Sequence, residues 1–87
     1  MDNRIEKARS ILRRKVQQKQ AHIKAVAENI TEATEEMNKK LQEGNLLSGI
    51  GYAESINRYS NEITSLYKEI RQYVEQLNLL EYLEEEE

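Results

Sequence analysis

The sequence predicts an all-α fold, a two-helix antiparallel coiled-coil hairpin, on three observations. Apolar residues recur every three or four positions along both halves of the chain, which is the repeat of one buried helix face. All three glycines fall between positions 44 and 51, and proline is absent, so the chain has one evident place to reverse. The two apolar stripes are also mirror images about that place.

The first helix is expected over about 3–43. Its stripe runs through Ile5, Ala8, Leu12, Val16, Ile23, Val26, Ile30, Ala33, Met37 and Leu41. The stripe skips once, at Lys19 and Gln20, so that Leu12 and Ile23 stand eleven residues apart. Such a hendecad between heptads relaxes the supercoil locally. Asp2 or Asn3 can cap the start, and Glu6 in the first turn suits the helix dipole. Lys39 and Lys40 followed by Gly44 mark the other end.

The glycine cluster predicts a turn over about 44–49, with Ser48 as N-cap of the second helix and Gly51 as an alternative start. Leu46, Leu47 and Ile50 are expected to fold back over the hairpin end. From Tyr52 the stripe continues through Ile56, Tyr59, Ile63, Leu66, Ile70, Tyr73, Leu77 and Leu80 without a fault. Four heptads with apolar a and d positions are a strong coiled-coil pattern. The second helix is expected over about 50–83, with an acidic tail at 84–87.

In an antiparallel hairpin, facing residues have a constant sum of sequence numbers. Met37 with Ile56, Ile30 with Ile63, Ile23 with Ile70 and Val16 with Leu77 all sum to 93, and Ala33 with Tyr59, Val26 with Leu66 and Leu12 with Leu80 to 92. The polar interruption falls opposite Tyr73, whose ring can cover the Lys19 stem. Charge follows the same register. Residues 1–25 carry eight Lys/Arg against two acids, whereas residues 44–87 carry three against nine. Glutamates at a helix C-terminus oppose the dipole, and Arg4, Lys7 and Arg9 are placed to offset Glu84 to Glu87.

Composition excludes several function classes. Without cysteine there is no disulfide framework, thiolate metal site or cysteine nucleophile, and a reducing, cytoplasmic setting is the expectation. Residues 1–15 hold no apolar run of signal-peptide length. No stretch reaches the ~18 apolar residues of a membrane span. His22 is the single histidine, with no second histidine to build a metal site. A rod without an enclosed core offers no pocket to perturb a catalytic carboxylate. The expectation is therefore a non-enzymatic protein, without cofactor, metal or small-molecule substrate, that binds other proteins as an adaptor or structural element.

Two sets of residues are candidates for binding. Leu79, Tyr82 and Leu83 are apolar but lie off the stripe, and Tyr67 and Val74 form a second strip beside it; together they are the expected protein contact surface. Ile11 stands opposite Leu83 and is expected to cover it. A chain this short buries only about 60% of the surface its unfolded form exposes, so self-association into a four-helix bundle is also expected. Arg13, Arg14 and Lys15 offer a second reading, an anion or nucleic-acid site. No aromatic residue lies among them for base stacking, and the acidic second helix opposes their field.

The stretch Glu43-Gly44-Asn45-Leu46-Leu47-Ser48-Gly49-Ile50-Gly51-Tyr52, followed by Ile56, Tyr59, Ile63, Leu66 and Ile70, resembles the central-stalk protein of the flagellar and type III secretion export ATPase. That family is an antiparallel coiled coil that docks in the export ATPase ring and engages export-gate and chaperone proteins. The resemblance implies a stalk or chaperone-escort role. Members of the family are usually longer, and no functional residue is carried over from it.

Overall fold

The computed structural model describes residues 3–86, and of Glu86 only the backbone. It contains two helices, α1 (Asn3–Gln42) and α2 (Leu46–Glu86), packed against each other along their length in a rod of 66 × 14 × 12 Å. The hairpin is the expected fold. The cap assigned to Asp2 lies outside the described residues, as does Glu87; Asn3 is already within α1.

The stripes define the seam. On α1 every stripe residue from Ile5 to Met37 is buried or half-buried, and on α2 so is every one from Tyr52 to Leu80. Val26 and Leu66, which face each other in the expected register, are 3% and 5% exposed and form the best-covered layer. Leu41 departs from the pattern and stays exposed. No side chain in the described residues is completely enclosed, as geometry requires when each helix can cover just one face of the other.

Lys19 takes the stripe position between Val16 and Ile23 and is half-buried. Its stem crosses the seam while its ammonium reaches Glu69, 3.1 Å away. Tyr73 is half-buried too, but the cation over its ring is Lys15, with Nζ 5.6 Å from the centroid. The polar layer thus uses two lysines rather than one. A carboxylate and a π-face satisfy them separately.

The turn is tighter than the glycine cluster suggests. The Gly44 N–H donates to Leu41 O at 3.1 Å and the Asn45 N–H to Lys40 O at 2.8 Å. These are the two bonds of a Schellman motif. Gly44 supplies its left-handed residue, with φ +80°. Asn45 then starts the next helix at once, its Oδ1 accepting from the Ser48 N–H at 3.2 Å. Asn45, and not Ser48 or Gly51, is the N-cap, and α2 begins at Leu46 instead of near residue 50.

Gly49 and Gly51 are helical. Gly49 is buried because Leu41 lies over it; a Cβ there would stand 2.6 Å from Leu41 Cδ2. With α2 starting early, Leu46, Leu47 and Ile50 occupy its first turns and point outward. Leu47 is 85% exposed, and none of the three folds back over the hairpin end. At the other end α2 continues through Glu84 and Glu85 to Glu86, so the expected acidic tail is helical to that residue. Arg9 forms an ion pair with Glu84 there. Arg9 is largely buried, and its Nε finds no acceptor.

Candidate functional site: the apolar surface outside the seam

Heptad spacing divides each helix into the seam, two flanks and a back, because residues three or four apart share a face. The two flanks of this hairpin differ in chemistry. One carries His22 and Glu62, whose Nε2 and Oε1 lie 3.0 Å apart, and beside them the Lys19–Glu69 pair. A shallow groove on this flank is lined by Asn29, Glu32, Ala33, Glu36, Tyr52, Ser55 and Tyr59.

The opposite flank has no charged residue along its turn-proximal half. Ala27, Thr31, Thr34, Asn38 and Leu41 of α1 lie beside Leu46, Ile50, Ala53, Asn57, Ser60, Thr64 and Tyr67 of α2. Its threonine hydroxyls are turned into their own helix. Thr31 Oγ1 donates to Ala27 O at 3.2 Å, Thr34 Oγ1 to Ile30 O at 2.7 Å and Thr64 Oγ1 to Ser60 O at 3.1 Å. Hydroxyls already bonded to backbone lose less on leaving water. Val74 continues this flank beyond Tyr67 on the same side of α2, with Arg71 between them as its first charged residue, and all three are exposed.

The other expected contact residues lie elsewhere. Leu79, Tyr82 and Leu83 are spaced three and four apart on the back of α2, facing away from α1, and are 61%, 59% and 48% exposed. Ile11 does not bury Leu83, since each remains about half exposed. The five candidates therefore separate into two surfaces, a patch at the open end and a strip on the uncharged flank. Sequence reasoning gave Tyr67 and Val74 but missed the turn-end half of the strip, Leu41, Leu46 and Ile50. Spacing on α2 could have found Leu46 and Ile50 once Asn45 was recognised as the cap.

The basic residues are also split. Arg13 and Arg14 line a shallow, open hollow with Glu6, Arg9, Ser10 and Gln17. Lys15 is turned away to Tyr73. Glu6 in the hollow and Glu84 on Arg9 set negative charge beside the two arginines. Among the described residues no group of three or more His, Cys, Asp or Glu could hold a metal ion, and no helix is long and apolar enough to cross a membrane.

The chain matches no protein-family profile, no curated protein and no solved structure.

Proposed function

We propose that this chain is a protein-binding hairpin: a rigid, non-enzymatic adaptor that displays helix faces to larger partners. The observation that carries the reading is the apolar surface the fold leaves uncovered. Among the described residues ten large apolar side chains stay 40% or more exposed, uncovered by the facing helix. Scattered exposed leucines are ordinary, but contiguous ones mark contact sites. Leu79, Tyr82 and Leu83 are contiguous, sit at an end of the rod and include an aromatic, the residue class enriched at binding hot spots.

Affinity capture from the native cell with the chain and its Leu79→Asp/Leu83→Asp variant tests the reading. The variant should stay helical and lose the specific partners. Unchanged capture by the variant would remove the end patch from the proposal. The resemblance to export stalks supplies one partner class to test directly, a ring ATPase whose turnover the chain should stimulate; absence of both binding and stimulation eliminates that role.

The hollow at Arg13 and Arg14 favours a second reading, anion binding. A gel shift with duplex DNA or RNA at low salt, lost in Arg13→Gln/Arg14→Gln, supports it. The opposing charge of Glu6 and Glu84 makes it the weaker of the two.

A further inference from the structure

Read as a contact surface, the uncharged flank of α2 has an internal symmetry that selects its occupant. Its columns are spaced evenly about Ser60. Seven residues to either side stand Ala53 and Tyr67, and fourteen to either side Leu46 and Val74. If a second α2 lay antiparallel across this face with a two-fold axis at Ser60, each bulky Tyr67 would meet a partner Ala53, each Val74 a partner Leu46, and the two serines each other. Along this column large meets small, apolar meets apolar, and the smallest polar side chain sits where the helices approach most closely. On the neighbouring column Arg71, the one charged residue of this α2 face within the overlap, falls beside a partner Ile50, over which its stem can lie with the guanidinium at the rim.

Charge gives a second, separate match. Glu54 and Lys68 border this flank, are exposed, and make no ion pair within the hairpin. In the same antiparallel arrangement Glu54 of each copy falls beside Lys68 of the other, so two ion pairs form from four groups the hairpin leaves unused. A flank built for an unrelated helix has no reason to be self-complementary in both size and charge.

We infer that the uncharged flank binds a second copy of this chain, α2 against α2 and antiparallel about Ser60, making a four-helix bundle. This deepens the protein-binding reading and rests on it. As seen from α2, the seam and this flank lie about a quarter-turn apart, the disposition of a helix with two neighbours in a square bundle. The same geometry brings the uncharged face of α1, from Ala27 to Leu41, against its mate. Overlap runs from Leu46 to Val74, about 40 Å at 1.5 Å per residue. Over the rod's 14 Å breadth that covers on the order of 1,100 Å² in total, near the lower limit for a specific interface, the size range of reversible association. The two open ends, with Leu79, Tyr82 and Leu83, project beyond the overlap in opposite directions, and the assembly presents that patch twice.

Sedimentation equilibrium of the full chain from low micromolar to submillimolar concentration, with circular dichroism as the check on folding, tests the inference. The wild type should pass from monomer to dimer. Ser60→Arg, which sets two cations on the axis, should stay monomeric with unchanged helicity. Glu54→Lys and Lys68→Glu should each weaken the dimer about tenfold, and the double variant should regain wild-type association, since the exchanged charges again face each other. Ser60→Cys should form a disulfide-linked dimer under mild oxidation. A wild type that stays monomeric overturns the inference; so does a dimer that the double swap fails to rescue or that Ser60→Cys fails to link. If the monomer still loses its partners on Leu79→Asp/Leu83→Asp, the end patch stands without the dimer. If the dimer forms and that variant loses nothing, the dimer stands without the patch.

Discussion

The two flanks of the hairpin border the same seam and meet the same solvent, yet one carries His22–Glu62 and Lys19–Glu69 while the other carries Leu41, Leu46, Ile50 and Tyr67 with self-bonded threonines. Stability of the lone hairpin does not explain the second flank. Apolar side chains in water contribute nothing to folding until something covers them, and a solvated helix face is ordinarily filled with charge. The contrast shows that burial within the hairpin and suitability for burial are separate properties. Residues with the second and not the first are the ones through which assembly is to be tested.

The sharpest way to break this contrast uses two adjacent residues. Leu66 belongs to the seam and Tyr67 to the flank, and they are 5% and 57% exposed. Leu66→Ala should lower unfolding free energy by about 2–4 kcal/mol, the usual loss for a covered leucine. Tyr67→Ala should change it by less than about 0.5 kcal/mol when measured at a concentration low enough to keep the chain monomeric, while making the melting temperature less dependent on concentration. Equal costs for both in urea melts at low concentration would place Tyr67 in the hairpin core and abolish the distinction between seam and flank.

Which residues form each flank depends on register, and register depends on the turn. Gly44 holds a positive φ, and Gly51 does not and has open space around its Cα. Gly44→Ala should therefore destabilise by about 1 kcal/mol through left-handed strain. Gly51→Ala should stabilise by about 1 kcal/mol, because a helical glycine is replaced by the best helix former. Thermal melts of the two variants should move in opposite directions. A shift of the same sign in both would mean that the hairpin closes somewhere other than Gly44–Asn45.

These glycines also show where sequence reading succeeds and fails. The seam was legible residue by residue, since 3.5-residue spacing is a property of sequence alone and an antiparallel pair must match its stripes by number. The turn was legible in place but not in extent. Three clustered glycines read as a long loop, yet Gly44 alone supplies backbone freedom; Gly49 is there for the space that Leu41 fills, a tertiary reason that no local pattern encodes. Asn45 is a cap residue by type, but among three clustered glycines it reads as part of the loop. That error hid the apolar residues of the first turns of α2 as loop. For the candidate surfaces, leftover apolar positions gave exposed side chains and a strip at Tyr67 and Val74 apart from the patch at Leu79, Tyr82 and Leu83, but the extension of that strip through Leu41, Leu46 and Ile50 needed the true start of α2.

The smallest effect belongs to the charged flank. Glu62→Gln removes the carboxylate 3.0 Å from His22 Nε2, where the two side chains are 43% and 50% exposed. A contact so open to solvent is screened and must hold two side chains in one geometry, so its loss should cost no more than about 0.5 kcal/mol. Lys19→Gln, which parts from Glu69, should cost a similar amount, plus whatever packing its half-buried stem provides. Neither should alter the concentration dependence of melting, because this flank faces solvent in the proposed dimer as well as in the monomer. That second measurement carries the weight. If Glu62→Gln weakened self-association as strongly as Ser60→Arg, the copies would be meeting through the charged flank, and the symmetry about Ser60 would be a coincidence of spacing.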